Sequence, residues 1–145
     1  MQTLIFIILI GLLGGAAVGI QAPLSSIISQ RLGIIESVFI VHAGGALVAL
    51  IPLLYYGGGK LSQWRIVPWY ALCAGGFGLV VIFSVSYMIP RIGVANALII
   101  LLAGQLLIGT MLDHYGLLGA AVRPLNLTRV VGLVVVFAGA WLSVK

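Results

Sequence analysis

The chain has 145 residues, of which 63% are hydrophobic and 6% are charged, and its mean hydropathy is +1.31. A soluble domain carries roughly 25% charged residues, so this composition excludes a water-facing surface and predicts an all-α integral membrane protein with one transmembrane domain, residues 1–145. The seven Lys and Arg residues stand singly near the ends of apolar runs, so the net charge of +5 indicates helix ends at the lipid bilayer surface and not nucleic acid binding.

The first apolar run, about residues 3–30, predicts a long membrane helix. We interpret it as a retained helix and not as a signal peptide, because no Lys or Arg precedes it and further apolar runs follow. Gly11, Gly15 and Gly19 recur at every fourth position, and such a ridge of small residues lets a neighbouring helix approach closely. We therefore expect this face to pack against another helix.

Polar residues occur at depth in the first two spans, the second of which covers about residues 37–55. Gln21 lies near mid-membrane and Ser25 follows one turn later, a series that fits either interhelical hydrogen bonding or the lining of a cavity. His42 lies about two turns inside the second span, as either a neutral hydrogen-bonded residue or a solute contact. Glu36 starts that span, where the helix dipole favours a carboxylate, and we assign it to the interface or to gating.

The third predicted span covers about residues 67–88 and contains a cluster of small residues. Gly75, Gly76 and Gly78 open a gap in its side-chain surface. Such a gap serves either close helix packing or the exposure of backbone to a passing solute. Residues 90–93 are then predicted to form a tight turn into the fourth span.

The fourth predicted span, about residues 94–113, carries the clearest polar signal of the chain. Gln105 lies about 12 Å along the helix from Asp113, so if Asp113 marks the interface, this amide is near the bilayer midplane. An amide in hydrocarbon needs a hydrogen-bonding partner or a ligand, because its unpaired donors and acceptors cost free energy. Asn96, early in the same span, is a further candidate for solute contact.

The fifth predicted span, about residues 128–144, begins with Arg129, which we assign with Asp113 to the interface or to gating. Five spans place Lys60, Arg65, Arg123 and Arg129 on one side of the membrane and Arg31, Arg91 and Lys145 on the other. Orientation follows the asymmetry of Lys and Arg, and four against three is almost none. Either the chain inserts in both orientations and pairs head-to-tail, or Lys145, at the C-terminus, does not influence the orientation and should be left out of the comparison.

The sequence contains no recognisable catalytic or metal-binding set. It has two acidic residues, two histidines and a single cysteine, Cys73. These are too few for a closed structural zinc site within one chain, and a single cysteine cannot form an intrachain disulfide. We therefore predict neither an enzyme nor a bound cofactor or metal.

With these residues in view, the chain resembles the YdcZ-like family of five-helix bacterial membrane proteins in the drug/metabolite transporter superfamily. The similarity is carried by Gly104-Gln105-Leu106 and by Asp113-His114-Tyr115-Gly116, and supported by Gln21, Gly75-Gly76-Phe77-Gly78, Pro90 with Gly93, and Arg129 with Gly132 and Gly139. The chain departs from the family pattern at His42, where other members can have an Asn.

The resemblance implies a multi-pass protein of the bacterial inner membrane and half of a ten-helix transporter. Since family members occur as single chains, paired genes and fused doubles, it also implies an antiparallel pair with a second copy or a paired homologue. It implies transport of a small molecule and leaves the solute open.

Three functions are compatible with these observations. The leading hypothesis is a secondary transporter that works by alternating access, with Gln21, Gln105, His42, Asn96 and Ser25 as polar solute contacts. The alternatives are an ion channel, which glycine-rich dimers can also form, and a membrane subunit or scaffold in which the polar residues serve only packing. The absence of a carboxylate at mid-depth favours a neutral or zwitterionic solute.

Overall fold

The computed structural model describes residues 2–145, with side chains from residue 3 onward. Six α-helices follow one another: α1 (Gln2–Leu32), α2 (Ile34–Tyr55), α3 (Trp69–Leu72), α4 (Phe77–Ile92), α5 (Val94–Tyr115) and α6 (Leu127–Val144). The short α3 and α4 together make one span, Trp69–Ile92, so that five helical spans are long and apolar enough to cross a membrane. The predicted all-α class and the five spans are confirmed.

Single glycines separate two pairs of consecutive helices. Gly33 alone separates α1 from α2 with a φ of 117°, and Gly93 alone separates α4 from α5 with a φ of 81°. Because glycine has no Cβ, it adopts positive φ without the steric cost that other residues meet. No further residues are needed between the helices, so α1 continues to Leu32 and α2 begins at Ile34. The tight turn predicted over residues 90–93 is wrong, because α4 continues to Ile92 and Gly93 alone breaks the helix.

The chain divides into two compact units, of which the first ends at Met88. Its helices are joined by serines: Ser25, Ser26, Ser37 and Ser86 are all buried. The Ser37 hydroxyl of α2 donates to the Ser25 carbonyl oxygen of α1 at 2.9 Å, and the Ser86 hydroxyl of α4 donates to the Ser29 hydroxyl of α1 at 2.7 Å. Small residues let helix backbones approach, and their hydroxyls then bond across the contact.

The third span is not a continuous α-helix. Between α3 and α4 the backbone tightens into a 3₁₀ turn, Cys73–Gly76. Gly75 and Gly76 lie in this turn, and a 3₁₀ stretch inside a long helix is a common site of strain or bending. The glycine cluster therefore interrupts the α-helix, in addition to leaving a gap in its side-chain surface.

The second unit, Ile89–Lys145, is built on the α5–α6 hairpin. The Ser143 hydroxyl near the end of α6 donates to Asn96 Oδ1 near the start of α5, and Asn96 Nδ2 donates to the Ile92 carbonyl oxygen at 2.9 Å. At the opposite end, the Asn126 side chain caps α6 by accepting from the Arg129 backbone N–H at 2.9 Å. Such a cap satisfies a helix N–H that has no partner within the helix.

Candidate functional site

The two intramembrane glutamines are both exposed on the described chain. Gln21 lies in α1 and Gln105 in the middle of α5. No hydrogen bond joins either amide side chain to another residue in the described part of the protein. In hydrocarbon an amide left in this state costs free energy, so each needs a polar group that its own unit does not supply.

His42 presents one ring nitrogen to its own helix and the other to the third span. Its Nδ1 lies 2.8 Å from the Val38 carbonyl oxygen. Since a carbonyl oxygen only accepts, Nδ1 carries the proton, and in the neutral ring Nε2 is then an acceptor. A Cβ added at Gly78 would overlap Nε2 and Cε1 of this ring, so the imidazole occupies the space that the glycine leaves.

Glu36 borders an apolar cleft within the first unit. The cleft has a volume of about 560 Å³ and is lined by Ile34, Ile35, Glu36, Leu79, Val80 and Phe83, from the first turn of α2 and the first half of α4. Glu36 is its charged member and is exposed. Sequence reasoning placed Glu36 at a helix start but could not anticipate that α4 would lie beside it.

Ser25 and Asn96 both belong to helix contacts. Ser25 is 2% exposed and its carbonyl oxygen is occupied by Ser37. Asn96 uses its amide nitrogen on Ile92 and its amide oxygen on Ser143. A solute would therefore have to displace a helix or an internal hydrogen bond to reach either side chain, whereas the two glutamines need no such displacement.

An ion pair joins the end of α5 to the start of α6. Arg129 Nη1 lies 3.6 Å from Asp113 Oδ2 and also donates to the Arg123 carbonyl oxygen at 3.0 Å. The intervening loop is further held by the Leu125 backbone N–H, which donates to His114 Nδ1 at 3.1 Å. Sequence reasoning grouped Asp113 with Arg129 but assigned no role to His114. The hydrogen bond to His114 comes from Leu125, eleven residues later, where the loop folds back onto α5.

The predicted packing glycines have different surroundings. Gly78 faces His42, as described, whereas a Cβ at Gly11, Gly15, Gly19, Gly75 or Gly76 would meet no atom within 4 Å in the described chain. All side chains of residues 3–18 are exposed, so no face of this half of α1 packs against the rest of its own unit. The glycine ridge of α1 is thus available to a partner outside the described chain.

Metal-binding side chains are not grouped in the described part of the protein. No cluster of three or more His, Cys, Asp or Glu side chains suited to a metal ion occurs within residues 3–145. Cys73 is exposed in the third span as a free thiol.

Comparison with known proteins gives one family. Searches of curated proteins and of solved structures found no match. The family described as "Putative inner membrane exporter, YdcZ" matches residues 6–142, nearly the whole chain. Together with the five apolar helical spans, this identifies a multi-pass inner membrane protein. The chain therefore belongs to this YdcZ family, and its five apolar helical spans agree with the architecture that the resemblance implied.

Proposed function

We propose that this protein is a secondary transporter that exports a small polar solute, neutral or zwitterionic, by alternating access. The observation that carries the proposal is the state of Gln21 and Gln105, which are exposed within apolar spans and have no hydrogen-bonding partner in the described chain. A passing solute would supply those partners. The family description supports outward movement.

The chemistry of the available groups favours an uncharged or zwitterionic solute. An amide both donates and accepts hydrogen bonds, so Gln21 and Gln105 can match the polar groups of an uncharged solute. The chain has only two carboxylates: Glu36 is the third residue of α2, and Asp113 is the third from the end of α5. Neither is at mid-depth, where a transported cation would need its counter-charge.

We further propose that the working unit is an antiparallel homodimer. The ridge of Gly11, Gly15 and Gly19 is free of neighbours in the described chain, and small residues at four-residue spacing are the surfaces on which membrane helices associate. The near balance of Lys and Arg between the two sides supports insertion in both orientations. An antiparallel pair would imitate the inverted repeats from which many transporters are built.

The transport proposal is tested in proteoliposomes loaded with a panel of radiolabelled sugars, polyols and amino acids. A transporter gives a flux that saturates with solute concentration and shows counterflow. Gln105→Ala and Gln21→Ala are each expected to reduce the flux of the solute that is found. Thr110→Ala is the matched control, because the Thr110 hydroxyl bonds to the Leu106 carbonyl oxygen of its own helix at 2.7 Å.

Two results would reject the proposal in different ways. High flux that does not saturate would indicate a channel. Unchanged saturable flux in both glutamine variants would exclude amide-based recognition, and the absence of any flux across the panel would favour a membrane subunit without transport activity.

The dimer is tested separately by attaching to the C-terminus reporters that are active on only one side of the membrane. Dual insertion predicts signals from both sides in the same cells. A signal from one side alone would exclude the antiparallel homodimer while leaving the transport proposal untouched.

A further inference from the structure

The loop between α5 and α6 is fastened to both helices by a compact set of hydrogen bonds. The Arg123 backbone N–H donates to the Asp113 carbonyl oxygen at 2.7 Å, and the Leu125 backbone N–H donates to His114 Nδ1 at 3.1 Å. From the other side, Arg129 reaches the Arg123 carbonyl oxygen at 3.0 Å. The next residue after Leu125 is Asn126, the cap of α6. The loop therefore controls where α6 begins.

One of these bonds depends on the protonation state of a side chain. A backbone N–H only donates, so His114 Nδ1 must present a lone pair to Leu125. The neutral imidazole can do so if its proton is on Nε2. The imidazolium cannot, because both of its nitrogens carry protons, and two N–H groups would then face each other at this contact.

The elements that meet at His114 carry several titratable and charged residues. These are Asp113 and Tyr115 on α5, Arg123 in the loop and Arg129 on α6; the Tyr115 ring meets the imidazole edge-on with centroids 4.7 Å apart. Arg129 already pairs with Asp113 at 3.6 Å.

We propose that His114 is a proton-binding site that holds the α5–α6 loop when neutral and releases it when protonated, and that this proton is the coupling ion of transport. A proton from water is taken up at Nδ1, and the Leu125 N–H that loses its acceptor is rehydrated at the membrane surface. Loss of the proton restores the bond. This coupling role rests on the transport function proposed above, whereas the proton-binding site itself does not.

The two histidines of the chain provide an internal comparison. His42 donates from Nδ1 to a carbonyl oxygen, and His114 accepts at Nδ1 from an N–H. They must therefore be opposite tautomers when neutral. Protonation of His42 at Nε2 leaves its bond to Val38 intact, so His42 is the control for a histidine whose titration does not release its partner.

The experiment uses the full-length protein in lipid nanodiscs with ¹⁵N-labelled histidine. At alkaline pH the nitrogen spectrum is expected to show one Nε2–H ring and one Nδ1–H ring, assigned by removing each histidine in turn. Hydrogen exchange of the loop, corrected for the pH dependence of intrinsic exchange, is expected to show protection of the Leu125 amide falling roughly two- to thirteen-fold as His114 becomes protonated.

Variants separate the proton-binding role from simple packing. His114→Asn places an amide oxygen near the position of Nδ1, so the Leu125 protection should persist at all pH values. His114→Ala should abolish that protection at all pH values, and His42→Asn should leave the wild-type pH dependence unchanged. In proteoliposomes, His114→Asn should retain solute binding but lose the dependence of flux on a pH gradient.

The outcomes distinguish the two proposals. An Nδ1–H tautomer for His114, or loop protection that does not change as the ring titrates, would overturn the proton-binding site even if saturable transport is found. A pH-dependent loop together with a flux that ignores the pH gradient would overturn the coupling role. A pH-dependent loop in a protein that transports nothing would leave the site standing and reject the transporter.

Discussion

The contact between His42 and Gly78 gives the sharpest prediction on stability. Gly78→Ala adds a methyl group where Nε2 and Cε1 of the His42 ring lie. The overlapping atoms are at the far end of the side chain, so the ring can swing away and the helices can stay in place. When the His42 ring moves, it loses its 2.8 Å hydrogen bond from Nδ1 to the Val38 carbonyl oxygen.

The size of the effect follows from two opposing terms. A polar group left without a partner away from water costs about 1–3 kcal/mol. Replacing a glycine by alanine at a compatible site stabilises by about 0.4–1 kcal/mol, because the unfolded chain loses freedom. Gly78→Ala should therefore lower the free energy of unfolding by about 1.3 kcal/mol at the middle of these ranges and by at most about 2.6 kcal/mol, a change of roughly ten-fold and at most about eighty-fold in the unfolding equilibrium.

The same methyl group should have the opposite effect once the ring is gone. In a His42→Ala background, Gly78→Ala should raise the free energy of unfolding by about 0.4–1 kcal/mol. Gly75→Ala is the matched control in the wild type, since a Cβ there meets no described atom within 4 Å. The assay is equilibrium unfolding in mixed micelles titrated with SDS. Equal effects of Gly78→Ala with and without His42 would refute the contact.

Three further predictions concern the contacts that hold the helices. Ser37→Ala removes the buried hydrogen bond to α1 and should lower the free energy of unfolding by about 0.6 and at most about 1.7 kcal/mol. Ser84→Ala should lower it by less, because the Ser84 hydroxyl bonds within its own helix. Equal losses in SDS titration would argue against the α1–α2 contact. Asn126→Ala should destabilise the start of α6 by about 0.5–2 kcal/mol while Asn126→Asp preserves the cap, as measured by hydrogen exchange in the first turn of α6. Asp113→Asn should lower the free energy of unfolding by under about 1 kcal/mol, and by less at high salt, because the ion pair with Arg129 is only part-buried. A larger decrease that does not depend on salt would show that the pair is shielded from water.

Apolar patterning was sufficient to predict the membrane spans and their number. Long uninterrupted runs of hydrophobic residues have one stable arrangement in a bilayer, in which every backbone group bonds within a helix. The ends were harder to predict because a single glycine, Gly33 or Gly93, is all that separates two helices. A break of one residue has almost no compositional signal, so the second span was predicted from about residue 37, although α2 already begins at Ile34.

The polar residues could be found from the sequence, but their partners could not. Ser25 and Gln21 are one turn apart and looked equivalent, yet Ser25 is buried against α2 and Gln21 is exposed. Which side of a helix faces its neighbour depends on packing angles that apolar composition does not specify, particularly where nearly every side chain is hydrophobic. His114 was missed for a related reason, since its partner is a backbone N–H supplied by a loop.

The central claim is that the unpaired amides recognise the solute, and the affinity of that solute for purified variants tests it most directly. Any compound that binds the native protein raises its melting temperature, which identifies a ligand for titration. Gln105→Ala and Gln21→Ala should each weaken its Kd by roughly two- to thirteen-fold, the worth of one hydrogen bond between neutral groups. The Thr110→Ala control should bind as the wild type does. A Kd unchanged in both glutamine variants would contradict the account.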